Sequence, residues 1–242
     1  MVEKKSAQNF LNELKSMVSK DQQEKYSEYF LQKKGKGEED FYTGIGLGQV
    51  FSLADEYTGM QLEEIEKLLE SPIHEARIGS VSIMDWETRN PNLPNARRKE
   101  LFDLYIRRHD RINAADLVDR AAPNVVGSYL YNETRDILYE LARSKNPWER
   151  RTAIASTYFF IRQDELDDSF KLAEILIGDE NEMMQKAVGG FLREAGRENA
   201  QRLLDFLNRH AASMPRVMLA RAIENLESEL QNRYLSENTK NR

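Results

Sequence analysis

The stretch WERRTAIASTY, Trp148 to Tyr158, decides the fold. Arg151 precedes a run of small and apolar residues. The same signature occurs in HEARIGSVSIM (His74–Met84), which carries Arg77, and in MMQKAVGGFLR (Met183–Arg193), which carries Lys186. Arg77 and Arg151 are 74 residues apart, two periods of 37, and Lys186 follows 35 residues after Arg151. A weaker echo, MPRVMLARAI, puts Arg216 another 30 residues on. A period of this size signals stacked helix pairs, because one pair cannot bury its apolar face alone and neighbours must complete the core. The expected fold is all-α, an α-solenoid of HEAT-like helical repeats with a concave face.

Working outward, the first helices of the pairs are expected at 73–89, 114–131, 147–162, 181–195 and 215–234, with partners at 97–108, 134–144, 166–177 and 199–210. Before them, MQLEEIEKLLES places Leu62, Ile65, Leu68 and Leu69 on one helical stripe. FYTGIGLGQV, with three glycines, reads as a connector into a helix from about Gln49 to Glu56. QKKGKGEED, residues 32–40, reads as a loop ahead of it. The whole chain, 1–242, is expected to be one solenoid domain, with 1–60 as a less regular helical cap.

Composition narrows the function. With 40% hydrophobic and 31% charged residues in 242, the chain can bury a sizeable core and stay soluble. It has no cysteine, which excludes disulfides and thiolate metal sites and agrees with a reducing compartment. No apolar run approaches the ~20 residues of a membrane span, and MVEKKSAQNFLNELKSMV lacks the apolar stretch of a signal peptide. A cytoplasmic, monomeric protein without membrane contact is expected. The three histidines, His74, His109 and His210, have no ligand spacing, so neither metal nor cofactor is expected. Gly44, Gly46 and Gly48 lack the strand and spacing of a dinucleotide fingerprint. The formal charge of −6 means that any nucleic-acid contact must rest on a local basic patch.

Equivalent positions of successive repeats point the same way, so Arg77, Arg151, Lys186 and Arg216 are candidates for one row. Each lies near a helix start, where free N–H groups and the helix dipole already favour an anion. Such a row suits a phosphate backbone. It equally suits ion-pair ladders to Glu75, Glu149 and Glu182, or an acidic protein partner.

The stretch HDRINAADLVDRAAPNVVG (His109–Gly127) holds two carboxylates, Asp116 and Asp119, three residues apart. Asn113 is placed to cap the helix, and Asp116 in its first turn complements the dipole. Asp119 lies beyond that benefit, among apolar neighbours and ahead of a kink at Pro123. A surface aspartate, an ion pair with Arg151 and a functional carboxylate beside the cationic row are all open readings of it.

Several segments together resemble one family: SPIHEARIGSVSIMD, RRKELFDLYIRRHDRIN, DLVDRAAPNVVG, LARSKNPWERRTAIASTYFFIR, KAVGGFLREAG and HAASMPRVMLARAIE. In this order and spacing, from about Phe41 to Leu235, they are similar to the DNA alkylation repair family, HEAT-like-repeat DNA glycosylases of AlkD type. The resemblance implies a protein that grips duplex DNA and hydrolyses the N-glycosidic bond of N3- or N7-alkylated purines. It implies that Asp119 stabilises the sugar cation and that Arg151, with Arg150 beside it, approaches DNA, joined by Arg77, Lys186 and Arg216. The positions that would flank the lesion are Asn113, Ala115, Gly190 and Phe191. The sequence departs from the family there: Ala114 and Ala115 stand where an asparagine and a tryptophan are usual, and Gly189-Gly190-Phe191 lacks the second tryptophan. Each lost aromatic contact with a cation is worth ~0.5–2 kcal/mol, roughly two- to thirtyfold in rate. Those losses keep a second reading open, a non-catalytic binder of duplex or branched DNA on the same scaffold.

Overall fold

The computed structural model describes residues 5–18 and 41–240. Among them the regular structure is helical, with one isolated parallel bridge between Phe41 and Ile73. The Gln32–Asp40 run lies outside the described residues. Packing gathers the chain into two compact units, Met1–Ala121 and Ala122–Arg242.

In the first unit the helices Leu47–Glu56, His74–Arg89 and Ala115–Ala121 lie side by side as one layer. Leu62–Leu69 packs behind His74–Arg89 and beside Asn95–Arg107. Its buried residues are Ile65, Leu68 and Leu69, the stripe that the helical period picks out. His74–Arg89 is buried almost along its whole length, because layers cover it on several sides. The N-terminal helix Ala7–Ser16 is capped by Ser6 and buries Phe10 and Leu14. The Phe10 ring occupies the space beside Gly79, where an added Cβ would lie 2.2 Å from Phe10 Cζ. Glycine there is a packing requirement.

The second unit repeats the arrangement. The Ala122–Gly127 turn packs on Pro147–Ile161, which packs on Glu182–Glu198, which packs on Arg216–Ala222. The partners are Asp136–Leu141, Asp167–Ile175, Ala200–His210 and Ser228–Lys240. Asn146 accepts the Trp148 N–H, and Pro147 in the first turn needs no partner for a missing N–H. Asn181 accepts from Met183 and Met184 N–H, and Asn199 from Arg202 N–H. Each unit is therefore a length of all-α helical-repeat solenoid, two helices deep.

Two expected helices are broken. The 114–131 helix is α-helical only from Ala115 to Ala121, then passes through a π-helical turn at Ala122–Gly127. Pro123 has no N–H for the carbonyl four residues back, and a wider turn moves the donor one residue on. The 215–234 helix stops at Ala222 and restarts at Ser228. No Gly or Pro marks that break. Tertiary partners cause it: the turn lets Tyr234 Oη donate to Asn208 Oδ1 at 2.9 Å. It also lets buried Asn238 donate to the Ala211 and Met214 carbonyls at 2.7 and 2.8 Å.

Neighbouring glycines of the Glu182–Glu198 helix differ sharply. A Cβ on Gly189 would lie 2.3 Å from the Met218 carbonyl oxygen, whereas a Cβ on Gly190 meets nothing within 4 Å. Gly189→Ala is expected to destabilise the fold by about 1–3 kcal/mol through overpacking. Gly190→Ala should be neutral or stabilising by up to ~1 kcal/mol, because alanine is the better helix former. Urea denaturation of the two variants checks the contrast.

Candidate functional site

The Ala115–Ala121 helix is seven residues long, too short to hold itself together. Buried polar clamps pin it to His74–Arg89 near both ends. At its start, His74 Nε2 lies 2.7 Å from Asp116 Oδ2. The other imidazole nitrogen, Nδ1, lies 3.3 Å from Arg77 Nη2. A guanidinium only donates, so Nδ1 accepts and Nε2 carries the hydrogen given to Asp116. Burial pushes the Asp116 carboxyl up, but the His74 hydrogen bond and the Leu117 N–H pull harder and leave it below its usual value.

Near the end of the same helix, Arg120 Nη2 lies 3.1 Å from Asp85 Oδ2, and Asp85 is 0% exposed. Arg89 joins Asp85 from one turn on, at 2.9 Å. Arg120 Nε donates to Ser82 Oγ at 3.0 Å. Its guanidinium lies over the Phe51 ring at 4.1 Å and the Trp86 ring at 5.0 Å. Burial pulls the Arg120 pKa down and Asp85 opposes it. A guanidinium stays charged under that pressure, so the pair is a buried ion pair with aromatic faces around the cation.

Asp119 rides on this pinned helix and is exposed, one turn on from Asp116, of whose side chain 43% is exposed. Asp116 therefore does more than complement the helix dipole. Asn113 does not cap the helix. The Ala114 carbonyl receives the first helical bond, from Val118 N–H at 3.1 Å, and Asn113 Oδ1 accepts from Arg77 Nη1 at 2.8 Å. Sequence reasoning gave Arg120, Asp85 and His74 no role. The one available signal was the Asp85–Arg89 spacing of four; the Asp85–Arg120 contact is long-range.

The basic row behaves unequally. Arg77 is 0% exposed, and besides Asn113 and His74 it donates to the Arg111 carbonyl at 3.1 Å. It is a strut inside the unit, and the expected phosphate contact at Arg77 is corrected. Arg150 grips buried Asp179 with Nε at 2.6 Å and Nη2 at 3.2 Å. Its Nη1 reaches the Ser144 and Lys145 carbonyls, so Arg150 too is turned inward. Arg151 is half-buried and donates from Nη1 to the Met183 carbonyl at 3.3 Å, in the first turn of the next repeat. Lys186 is exposed and pairs with Glu182 of its own helix at 2.6 Å. Arg216 is exposed and reaches the Leu235 carbonyl at 3.4 Å. The expected Glu75 and Glu149 ladder rungs have other partners: Glu75 Oε1 accepts from Gly44 N–H at 2.8 Å, and Glu149 Oε1 from Asn146 Nδ2 at 3.4 Å. Ala115 and Gly190 bring no ring, and Phe191 is half-buried with its ring 6.4 Å from that of Tyr158. No helix among the described residues is long and apolar enough to cross a membrane.

Comparison with known proteins identifies the family and the fold. A family model described as DNA alkylation repair enzyme matches residues 10–226. Among solved structures, the chain is similar to a predicted DNA alkylation repair enzyme from Enterococcus faecalis. The TM-score is 0.64 at 16% identity, over 88% of this chain and 98% of that one, a likeness of fold. No curated protein sequence matches.

Two measurements check the clamps. Asp85→Ala leaves the Arg120 guanidinium buried without its anion and is expected to lose about 3–5 kcal/mol. An Asp85→Leu, Arg120→Met pair should recover most of that, in a double-mutant denaturation cycle. Asp116 has its folded pKa lowered, so its stabilisation is full above the unfolded value near ~4 and drains as pH falls through the folded value. Asp116→Asn should flatten that acid limb of the stability–pH curve by no more than ~1 kcal/mol, given its exposure.

Proposed function

Since the chain belongs to the DNA alkylation repair enzyme family, we propose that it is a DNA N-glycosylase for cationic N3- or N7-alkylated purines in duplex DNA. It works as a monomer in the cytoplasm and without a cofactor. The observation that carries this reading is the exposed Asp119 carboxylate on a short helix held by the buried Asp85–Arg120 ion pair and the His74–Asp116 hydrogen bond. Rigid support is what a charge-stabilising group requires, since it must be in place before the charge develops.

The chemistry is simple in outline. An N-alkylated purine carries a positive charge, so it departs with the bonding electron pair as a neutral base and needs no acid. The deoxyribose is left as an oxocarbenium-like cation. Asp119 stabilises that cation and orients the water that adds to C1′, whose extra proton passes to solvent. Lys186 and Arg216, both exposed, serve as phosphate contacts, and Arg151 contributes from its half-buried position. Arg77 and Arg150 shape the repeats and do not touch DNA.

A second reading, binding without base release, is favoured by one observation: Ala114, Ala115 and the open side of Gly190 supply no aromatic face. Base release separates the two. Duplex carrying 7-methylguanine should lose the base faster with wild type than with Asp119→Asn, by about 10²-fold or more, the scale of one lost electrostatic stabiliser. Release at the uncatalysed rate with both, alongside tight binding, selects the second reading. Lys186→Ala and Arg216→Ala should each weaken binding at every sequence and reduce the slope of log K against log salt by about one.

A further inference from the structure

The connector ahead of the Leu47–Glu56 helix carries a tyrosine with no role in the fold so far described. Tyr42 is 53% exposed, yet it is not a loose loop residue. Phe41 N–H donates to the Pro72 carbonyl at 2.8 Å, and His74 N–H returns a bond to the Phe41 carbonyl at 2.7 Å. Gly44, at φ 77°, turns the chain so that its N–H reaches Glu75 Oε1 at 2.8 Å. The segment is thus tied to the start of His74–Arg89 on both sides of Tyr42. There the Tyr42 ring lies over the His74 imidazole, with centroids 4.6 Å apart and planes inclined by 32°.

His74 therefore carries three groups. Arg77 is on its Nδ1 edge, Asp116 is on its Nε2 edge, and Tyr42 covers one face. Arg77 is fully buried and the imidazole nearly so, whereas Tyr42 and Asp116 both reach solvent. The exposed result is an aromatic ring and a carboxylate held on one imidazole. A ring face is negative by its quadrupole and a carboxylate by its charge, and together they suit a flat cation.

We propose that Tyr42 and Asp116 form a cation-recognising edge that selects the positively charged purine over its uncharged counterpart. The identity of that cation rests on the glycosylase reading; the edge itself rests on Tyr42, His74 and Asp116. Tyr42 comes from a connector preceding the repeats, and it supplies in another place the aromatic surface that Ala115 does not. Arg77 and His74 act as positioning residues, since they orient the edge without reaching solvent.

The test compares two duplexes identical but for charge. One carries 7-methylguanine and the other its neutral isostere, 7-methyl-7-deazaguanine, both on a 2′-fluoro sugar that blocks release. Fluorescence anisotropy gives the ratio of the two affinities. Wild type is expected to prefer the charged duplex, and Tyr42→Ala to reduce that preference about two- to thirtyfold. Tyr42→Phe should retain it, because the ring face remains, and Asp116→Asn should reduce it. A merely structural role would weaken both duplexes alike and leave the ratio unchanged. If Tyr42→Ala fails to fold, Asp116→Asn carries the test. A wild-type ratio near one, or a ratio that neither Tyr42→Ala nor Asp116→Asn alters, overturns the edge, whatever the base-release assay shows. A ratio that falls in Tyr42→Ala while wild type releases no base supports the edge and overturns the glycosylase reading.

Discussion

A guanidinium with no access to water must find every partner inside the protein, and Arg77 organises the first unit by that requirement. Its Nη1 joins the Arg111 carbonyl and Asn113, which fixes the chain as it enters the Ala115–Ala121 helix. Its Nη2 sets the tautomer of His74, which in turn holds Asp116. Removing such a cation strands its partners, and removing a partner strands the charge. The cost in either direction is what makes the arrangement specific. A seven-residue helix with little stability of its own acquires one position and one rotation from it.

The Asp85–Arg120 pair applies the same logic near the helix's other end. Buried ion pairs are poor sources of net stability compared with apolar packing of equal volume. Their value here is geometric. Apolar contacts would let a short helix slide or roll, whereas an ion pair backed by Ser82 and framed by Phe51 and Trp86 admits one register. Asp119, next to Arg120 in sequence, inherits that register.

The periodic basic residues do not share one structural fate. Arg77 and Arg151 each donate to a carbonyl some 30 residues on, at or near the start of the next repeat's first helix. Arginine suits this because its planar fork spans the gap between stacked helices and keeps its charge when buried. Lys186 holds the equivalent position, pairs with Glu182 of its own helix and stays exposed. The period thus marks the joints between repeats, bridged by arginine at Arg77 and Arg151 and left unbridged at Lys186.

The repeat period and the apolar stripes were legible in the sequence, because helix pairs of fixed length bury residues at fixed spacing; the one cap expected, Asn113, instead accepts from Arg77. That determined the all-α solenoid and its helix positions, and the ordered segments pointed to the family and to Asp119. The breaks at Ala122 and Ala222 were harder: Pro123 announced the first, and nothing local announced the second, since Tyr234 finds its partner on the Ala200–His210 helix and Asn238 in the turn that follows it. Whether a given arginine faces water or the core was not legible at all. Arg77, Arg151 and Lys186 hold equivalent places in the repeat and differ in exposure, and Tyr42 meets His74 only once a connector folds back 32 residues along the chain. Spacing along a helix is a local property that composition and period encode. The partner of a buried charge is a long-range one, and only the packed chain decides it.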